Sequence, residues 1–159
     1  MAAVCRELRD QSCQMGYGGD IDQEVAYALI QKKPPLGYHH GFAMLFHWLV
    51  SGARTAFLQD ADSLIMKTGQ LTRLLEHLRS TFPSLERVTN YARSKTLARK
   101  PPEELKAIRM AGLDRVHVGL ESGDDTVLKK VRKGATGEIH IKGGLKAKEA
   151  GFQLSEYWM

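Results

Sequence analysis

From residue 52 onward the apolar positions switch repeatedly between two periods. Short runs at 54–60, 87–92, 115–121 and from 152 onward read as strands, with a period of two in 115–121. Between them the period lengthens to that of a helix. Leu71, Leu74, Leu75 and Leu78 form an i, i+3, i+4, i+7 stripe that Thr68 is placed to cap and Pro83 closes. Pro101-Pro102 opens a second helix with Leu105 and Ile108 inward. Helices over 124–132 and 137–150 precede the last strand. Strands and helices alternating at roughly thirty-residue spacing predict an α/β fold with parallel strands. Ser51-Gly52, Ala111-Gly112 and Ala150-Gly151 each fall just before a strand, where a left-handed glycine ends a helix and turns the chain back.

The first fifty residues are less regular. Residues 1–19 show no clear period, and Gly16, Gly18 and Gly19 suggest a loop. Asp20 with Gln23 three residues on has the pattern of a capping box, ahead of a helix through Val25, Ala26, Leu29 and Ile30. Pro34-Pro35 and Gly37 end it. A second helix is expected over 38–50, with Phe42, Leu45, Phe46 and Leu49 at helical spacing. This segment, 1–50, is expected to be separate from the repeat over 51–159.

Composition narrows the partners only slightly. A net charge of +5 suits a solvated surface, and equally an anionic ligand or nucleic acid. No apolar run approaches the ~20 residues of a membrane span. The N-terminal residues are charged and lack the apolar core of a signal peptide, so a cytoplasmic location is expected. Cys5 and Cys13 alone make no disulfide framework.

The candidate chemistry lies at the strand ends. In Arg115-Val116-His117-Val118-Gly119-Leu120-Glu121-Ser122-Gly123, the residues Val116, Val118 and Leu120 share one face. His117, Gly119 and Glu121 share the other, and Gly119 leaves room there. The four strands close on Gln59, Asp60 and Asp62, then Tyr91, Arg93 and Ser94, then Glu121 and Ser122, then Ser155 and Glu156. In a parallel sheet these ends share one rim, where ligands bind in α/β folds. Helix capping accounts for Asp124 and Thr68, but not for Glu121 or Arg93. His39, His40 and His47 make a poor metal set, because adjacent histidines splay apart. The run Lys129-Lys130-Val131-Arg132-Lys133 reads as the basic last turn of a helix, with contact to RNA or phosphate as the alternative.

Three stretches in this order carry a family resemblance. Phe57-Leu58-Gln59-Asp60-Ala61-Asp62-Ser63-Leu64, Arg87-Val88-Thr89-Asn90-Tyr91-Ala92-Arg93-Ser94 and Gly119-Leu120-Glu121-Ser122-Gly123-Asp124-Asp125 resemble radical S-adenosylmethionine (radical SAM) enzymes. The branch they resemble is the one with the Elongator-like core, over about residues 52–159. The resemblance implies a partial TIM-barrel-like (β/α) repeat, here incomplete at both ends, with the active site at the strand carboxyl ends. It places Asp60 and Asp62 near the ammonium of the cofactor's methionine, and Arg93, beside Tyr91 and Ser94, against its carboxylate. It places Glu121 and Ser122 near its ribose and methionine parts, with Glu156 approaching from the last strand. Glu121 is expected to pair with Arg93 when the site is empty.

The family also holds a [4Fe–4S] cluster on three cysteines spaced C-x-x-x-C-x-x-C, which leaves one iron for SAM. This sequence lacks that motif, so no cluster is expected on this chain. The resemblance thus implies an internal piece of a radical SAM core, inactive alone, joined to an N-terminal segment that does not match the family. Two other readings fit the same residues. One is a (β/α) barrel piece binding a phosphorylated metabolite, with Arg93 and helix N-termini as anion holders. The other is a basic binding module without enzymatic activity.

Overall fold

The computed structural model describes residues 2–59 and 61–159. The chain divides into two compact units, Met1–Arg54 and Thr55–Met159.

The first unit is helical. Helix α1 (Ala2–Gln14), α2 (Gln23–Lys32), a 3-10 turn (Pro34–Tyr38) and α3 (His40–Val50) gather around Leu8, Val25, Ala26, Leu29 and Phe42. Helix α1 occupies the stretch that showed no period. Its inward positions are Cys5, Leu8, Gln11 and Ser12, so half of the buried stripe is polar and an apolar count misses it. Those polar groups are satisfied locally. Lys32 donates to Gln11 at 2.5 Å, and Ser12 donates to the carbonyl of Asp20 while accepting from the Gly19 amide. The cap of α2 is Asp22 rather than Asp20: its carboxylate accepts from the Val25 amide at 2.9 Å.

The second unit is a four-stranded parallel sheet in chain order. Strand β1 (Thr55–Leu58) pairs with β2 (Arg87–Ala92), β2 with β3 (Arg115–Glu121), and β3 with β4 (Gln153–Trp158). Helices α4 (Thr68–Thr81), α5 (Ser94–Arg99), α6 (Pro102–Met110), α7 (Asp125–Lys130) and α8 (Gly137–Glu149) connect the strands. The (β/α) repeat read from the sequence is therefore present. Alternation sorts the sheet as its pattern predicts. Val88, Ala92, Val116, Val118 and Leu120 are buried on one face, together with Leu71 and Leu75 of α4, Leu105 and Ile108 of α6 and Ala147 of α8. Each fully buried Leu or Ile contributes about 1.5–3 kcal/mol. Asn90 interrupts this face. It is fully buried, and its side-chain amide has no partner among the described residues.

Gly52, Gly112 and Gly151 all take positive φ (91°, 112° and 87°), which supports the turn reading. Thr68 does not cap α4. It is the first helical residue, and its hydroxyl donates to Glu104. Helix α5 is too short to show a period of its own, and its presence is new to the sequence reading. Lys146 ties it to α8 by donating to the carbonyls of Ala98 and Lys100 at 3.0 and 2.7 Å.

At the amino ends of the strands, Asp114 joins four elements. It accepts from Arg79 of α4 at 2.5 Å, from Arg109 of α6 at 3.0 Å and from the Val88 amide of β2 at 2.8 Å. Its own carbonyl receives the Gln153 amide of β4. This rim is structural, and the opposite rim holds the cleft.

Candidate functional site

The sheet face opposite the helices is lined by rings. Phe57, Tyr91, His117 and Tyr157 come one from each strand. Ring centroids lie 4.9 Å apart for Phe57–Tyr91, 6.0 Å for Tyr91–His117 and 5.9 Å for His117–Tyr157. Tyr157 and His117 also share a hydrogen bond of 3.2 Å between the phenol oxygen and Nδ1. Phe57, Tyr91 and Tyr157 are each about two-fifths exposed or more, so the face is open.

Where this face meets the carboxyl rim there is a cleft of about 490 Å³. Tyr91, Arg93, Ser94, Lys95, His117, Gly119, Arg132, Lys133 and His140 are among its lining residues. Among the described residues the lining holds four cations and no carboxylate. Arg93 stands at the N-cap position of α5 and Ser94 is that helix's first residue. Arg132 and Lys133 arrive on the α7–α8 connection, where Arg132 has φ 53° and Gly134 has φ 72°. His140 stands on the first turn of α8, whose N-cap Thr136 accepts from the Ile139 amide.

Two contacts organise the cleft. Lys133 Nζ donates to Glu121 Oε1 at 2.9 Å, above Gly119. A Cβ at Gly119 would lie 2.7 Å from that ammonium and 2.8 Å from that carboxylate oxygen, so the space left by the glycine is filled by the pair. Glu121 itself takes a left-handed φ of 67°, and the β3–β4 register is irregular between Gly119 and Glu121. Below, Ser94 Oγ and His140 Nδ1 lie 2.6 Å apart, and both residues are buried. Helix α8 approaches this closely because residue 143 is glycine: a Cβ there would fall 2.6 Å from the Ser94 carbonyl oxygen. Burial pushes the His140 imidazole below its usual pKa, Lys133 adds to this, and Glu156, Asp125 and Glu121 oppose it. The neutral ring is favoured. His117 is shifted the same way, by burial first and then by Arg115.

The structure brings together three of the eight residues expected from the sequence, Tyr91, Arg93 and Ser94, in the cleft lining, with Glu121 reaching it through Lys133. Glu121 pairs with Lys133 and not with the expected Arg93, because the left-handed turn folds its carboxylate back over Gly119 toward the α7–α8 connection. Asp62 is buried beneath α5, where it accepts from the Thr96 hydroxyl at 2.5 Å. Burial raises its pKa, against the lowering pull of Thr96 and Arg93. Ser122 accepts from the Asp124 amide in the turn into α7. Glu156 pairs in register with Val118, which places it on the helix-covered face, where its carboxylate lies near Gly144 of α8. Asp60 lies outside the described residues. Sequence reasoning missed His140 and took Lys133 only as part of a basic run. A signal was present: His140, Gly143 and Ala147 form the inward stripe of α8, and a histidine on such a stripe needs a partner.

No group of three or more metal-ligating side chains occurs among the described residues, and no helix among them is long and apolar enough to cross a membrane. A parallel (β/α) sheet with a cation-lined cleft at its carboxyl rim defines an α/β domain, the class in which that rim is the usual ligand side. The family model of the radical SAM superfamily matches residues 50–159, and the chain belongs to that superfamily. Two solved structures of the cobalamin-dependent S-adenosylmethionine radical enzyme OxsB are similar in fold. One has aqua-cobalamin bound, at 19% identity, and the other aqua-cobalamin and S-adenosylmethionine, at 20%. Each match has a TM-score of 0.50 and covers 66% of this chain but 16% of the OxsB chain. No curated protein matches.

Proposed function

We propose that the Thr55–Met159 unit binds S-adenosylmethionine in the cleft at the carboxyl ends of β2 and β3, as part of a radical SAM core of the Elongator-like branch. The observation that carries this reading is the place of the cleft at the carboxyl rim of the family-matched unit, with Arg93 in its lining, Glu121 beside it through Lys133, and an aromatic sheet face along its border. Arg93 is suited to a fork-like pair with the methionine carboxylate. Glu121 is suited to the ammonium, which would replace Lys133 as its partner. Tyr91 and His117 offer ring faces to the adenosyl part.

Together with a [4Fe–4S] cluster, S-adenosylmethionine supplies a 5′-deoxyadenosyl radical that takes hydrogen from a substrate. The cysteines of this chain do not fit that cluster. Cys5 is buried and Cys13 exposed on the same helix, eight residues apart, which is about 12 Å along its axis. The functions assigned to this chain's own residues are therefore binding and orientation. A phosphorylated metabolite is the second reading, favoured by the same four cations. Calorimetry separates the two. Binding of S-adenosylmethionine that is weakened by Arg93→Ala and by Glu121→Ala supports the first. Binding of inorganic phosphate, with none of S-adenosylmethionine at millimolar concentration, supports the second.

A further inference from the structure

The floor of the cleft contains a polar group that the cations do not explain. His140 is 5% exposed, and its Nε2 is buried with no hydrogen-bond partner among the described residues. A buried donor left unmade costs about 1–3 kcal/mol, so such a group calls for a partner. The other ring nitrogen is fixed. Ser94 Oγ lies 2.6 Å from Nδ1 and has no other side-chain bond among the described residues. If Nδ1 carried the proton and donated to Ser94, the buried Ser94 hydroxyl hydrogen would lack an acceptor. The arrangement that satisfies the Ser94 hydroxyl and Nδ1 has Ser94 donating to Nδ1. The proton of the neutral ring then sits on Nε2.

We propose that His140 is a specificity-determining residue of the cleft, whose Nε2–H donates to an oxyanion, carboxylate or phosphate, of the bound ligand, with Ser94 as the positioning residue that sets its tautomer. Arg93, Lys95, Arg132 and Lys133 draw a negative ligand into the cleft by charge, which acts over distance and selects little. A single neutral, fixed donor on the floor selects for an acceptor at one place. The inference needs only that the cleft takes an oxyanion, and so does not depend on the assignment to S-adenosylmethionine.

The test is nitrogen-15 NMR of the imidazole in the full chain. In the free protein, His140 is expected as the Nε2–H tautomer, and Ser94→Ala is expected to mix the two tautomers. Titrations use S-adenosylmethionine, methylthioadenosine (which lacks the amino acid end) and inorganic phosphate. A downfield, exchange-protected Nε2–H with S-adenosylmethionine but not methylthioadenosine names a carboxylate; the same signal with phosphate names a phosphate. Equal response to S-adenosylmethionine and methylthioadenosine overturns the proposal. So does an unmoved His140 while the amides of Arg93 and Lys133 shift, a result that leaves binding at the cleft intact. No shift anywhere with any probe overturns the proposal and the ligand site alike. His140→Phe is expected to weaken the effective probe about tenfold to a hundredfold, the scale of one hydrogen bond to a charged acceptor. His140→Gln, whose amide nitrogen reaches near the Nε2 position, is expected to recover part of that loss and serves where the Phe variant fails to fold.

Discussion

Gly143 and Gly144 are neighbours on α8, and adding one methyl group at each is expected to act with opposite sign. A Cβ at Gly143 would sit 2.6 Å from the Ser94 carbonyl oxygen and 3.3 Å from two more backbone atoms of Ser94. Backbone cannot swing aside, so α8 must retreat from α5. Overpacking of this kind costs about 1–3 kcal/mol. Replacing a helical glycine by alanine returns about 0.5–1 kcal/mol. The net for Gly143→Ala is thus a loss of roughly 0–2.5 kcal/mol, centred near 1 kcal/mol, or a fall in Tm of roughly 5 °C for a unit of this size. At Gly144 the nearest atom is the end of the Leu154 side chain at 3.4 Å, an ordinary contact. Gly144→Ala therefore keeps the propensity gain and is expected to stabilise by about 0.5–1 kcal/mol. Urea unfolding followed by circular dichroism measures both. Gly143→Ala is also expected to lengthen the Ser94–His140 hydrogen bond and move the His140 ring signals. A Gly143→Ala protein as stable as wild type, with those signals unchanged, would refute the close approach of α8 to α5.

Three further outcomes follow from the fold and its titrating groups. Asp114→Ala is expected to cost about 2–3 kcal/mol in urea unfolding, because it removes charge-assisted bonds from Arg79 and Arg109 and the acceptor of the Val88 amide; a loss under about 0.5 kcal/mol would contradict the lock at the strand starts. His140 and His117 have folded pKa values below the ordinary imidazole value of about 6.5. The unfolded chain then binds protons first, so stability is full above about pH 6.5 and falls as the pH drops below it. A fall in stability between pH 7.5 and 5 that is smaller after His140→Gln and His117→Gln than in the wild type checks the sign. Anaerobic reconstitution of the chain is expected to leave no stoichiometric iron–sulfur cluster by iron and sulfide analysis, and a cluster lost on Cys5→Ser would contradict this.

Much of the second unit was legible because its sheet is covered on one side only. Val116, Val118 and Leu120 alternate with His117, Gly119 and Glu121, and that alternation set the limits of β3 and the face of every residue in it. The three glycines before strands marked the turns for a similar reason, since positive φ there excludes most other residues. The less legible parts depend on contacts distant in sequence. Glu121 chose Lys133 over Arg93 through a left-handed residue and a loop whose path no local pattern encodes. Helix α1 hid behind Gln11 and Ser12, whose partners lie in other elements or loops. Glu156 sits at a strand end in sequence, but its register with Val118 turns it to the helix side. The cleft itself needed α8, because His140 comes to Ser94 only through the packing of two helices 46 residues apart along the chain.

The most direct test of the account is amide chemical-shift mapping of the chain titrated with S-adenosylmethionine. The account expects saturable shifts at 91–95, 117–121 and 131–140, the three segments that meet at the cleft, and shifts reduced by Arg93→Ala. Absence of shifts at millimolar concentration, or shifts confined to the helical unit at Met1–Arg54, would contradict it.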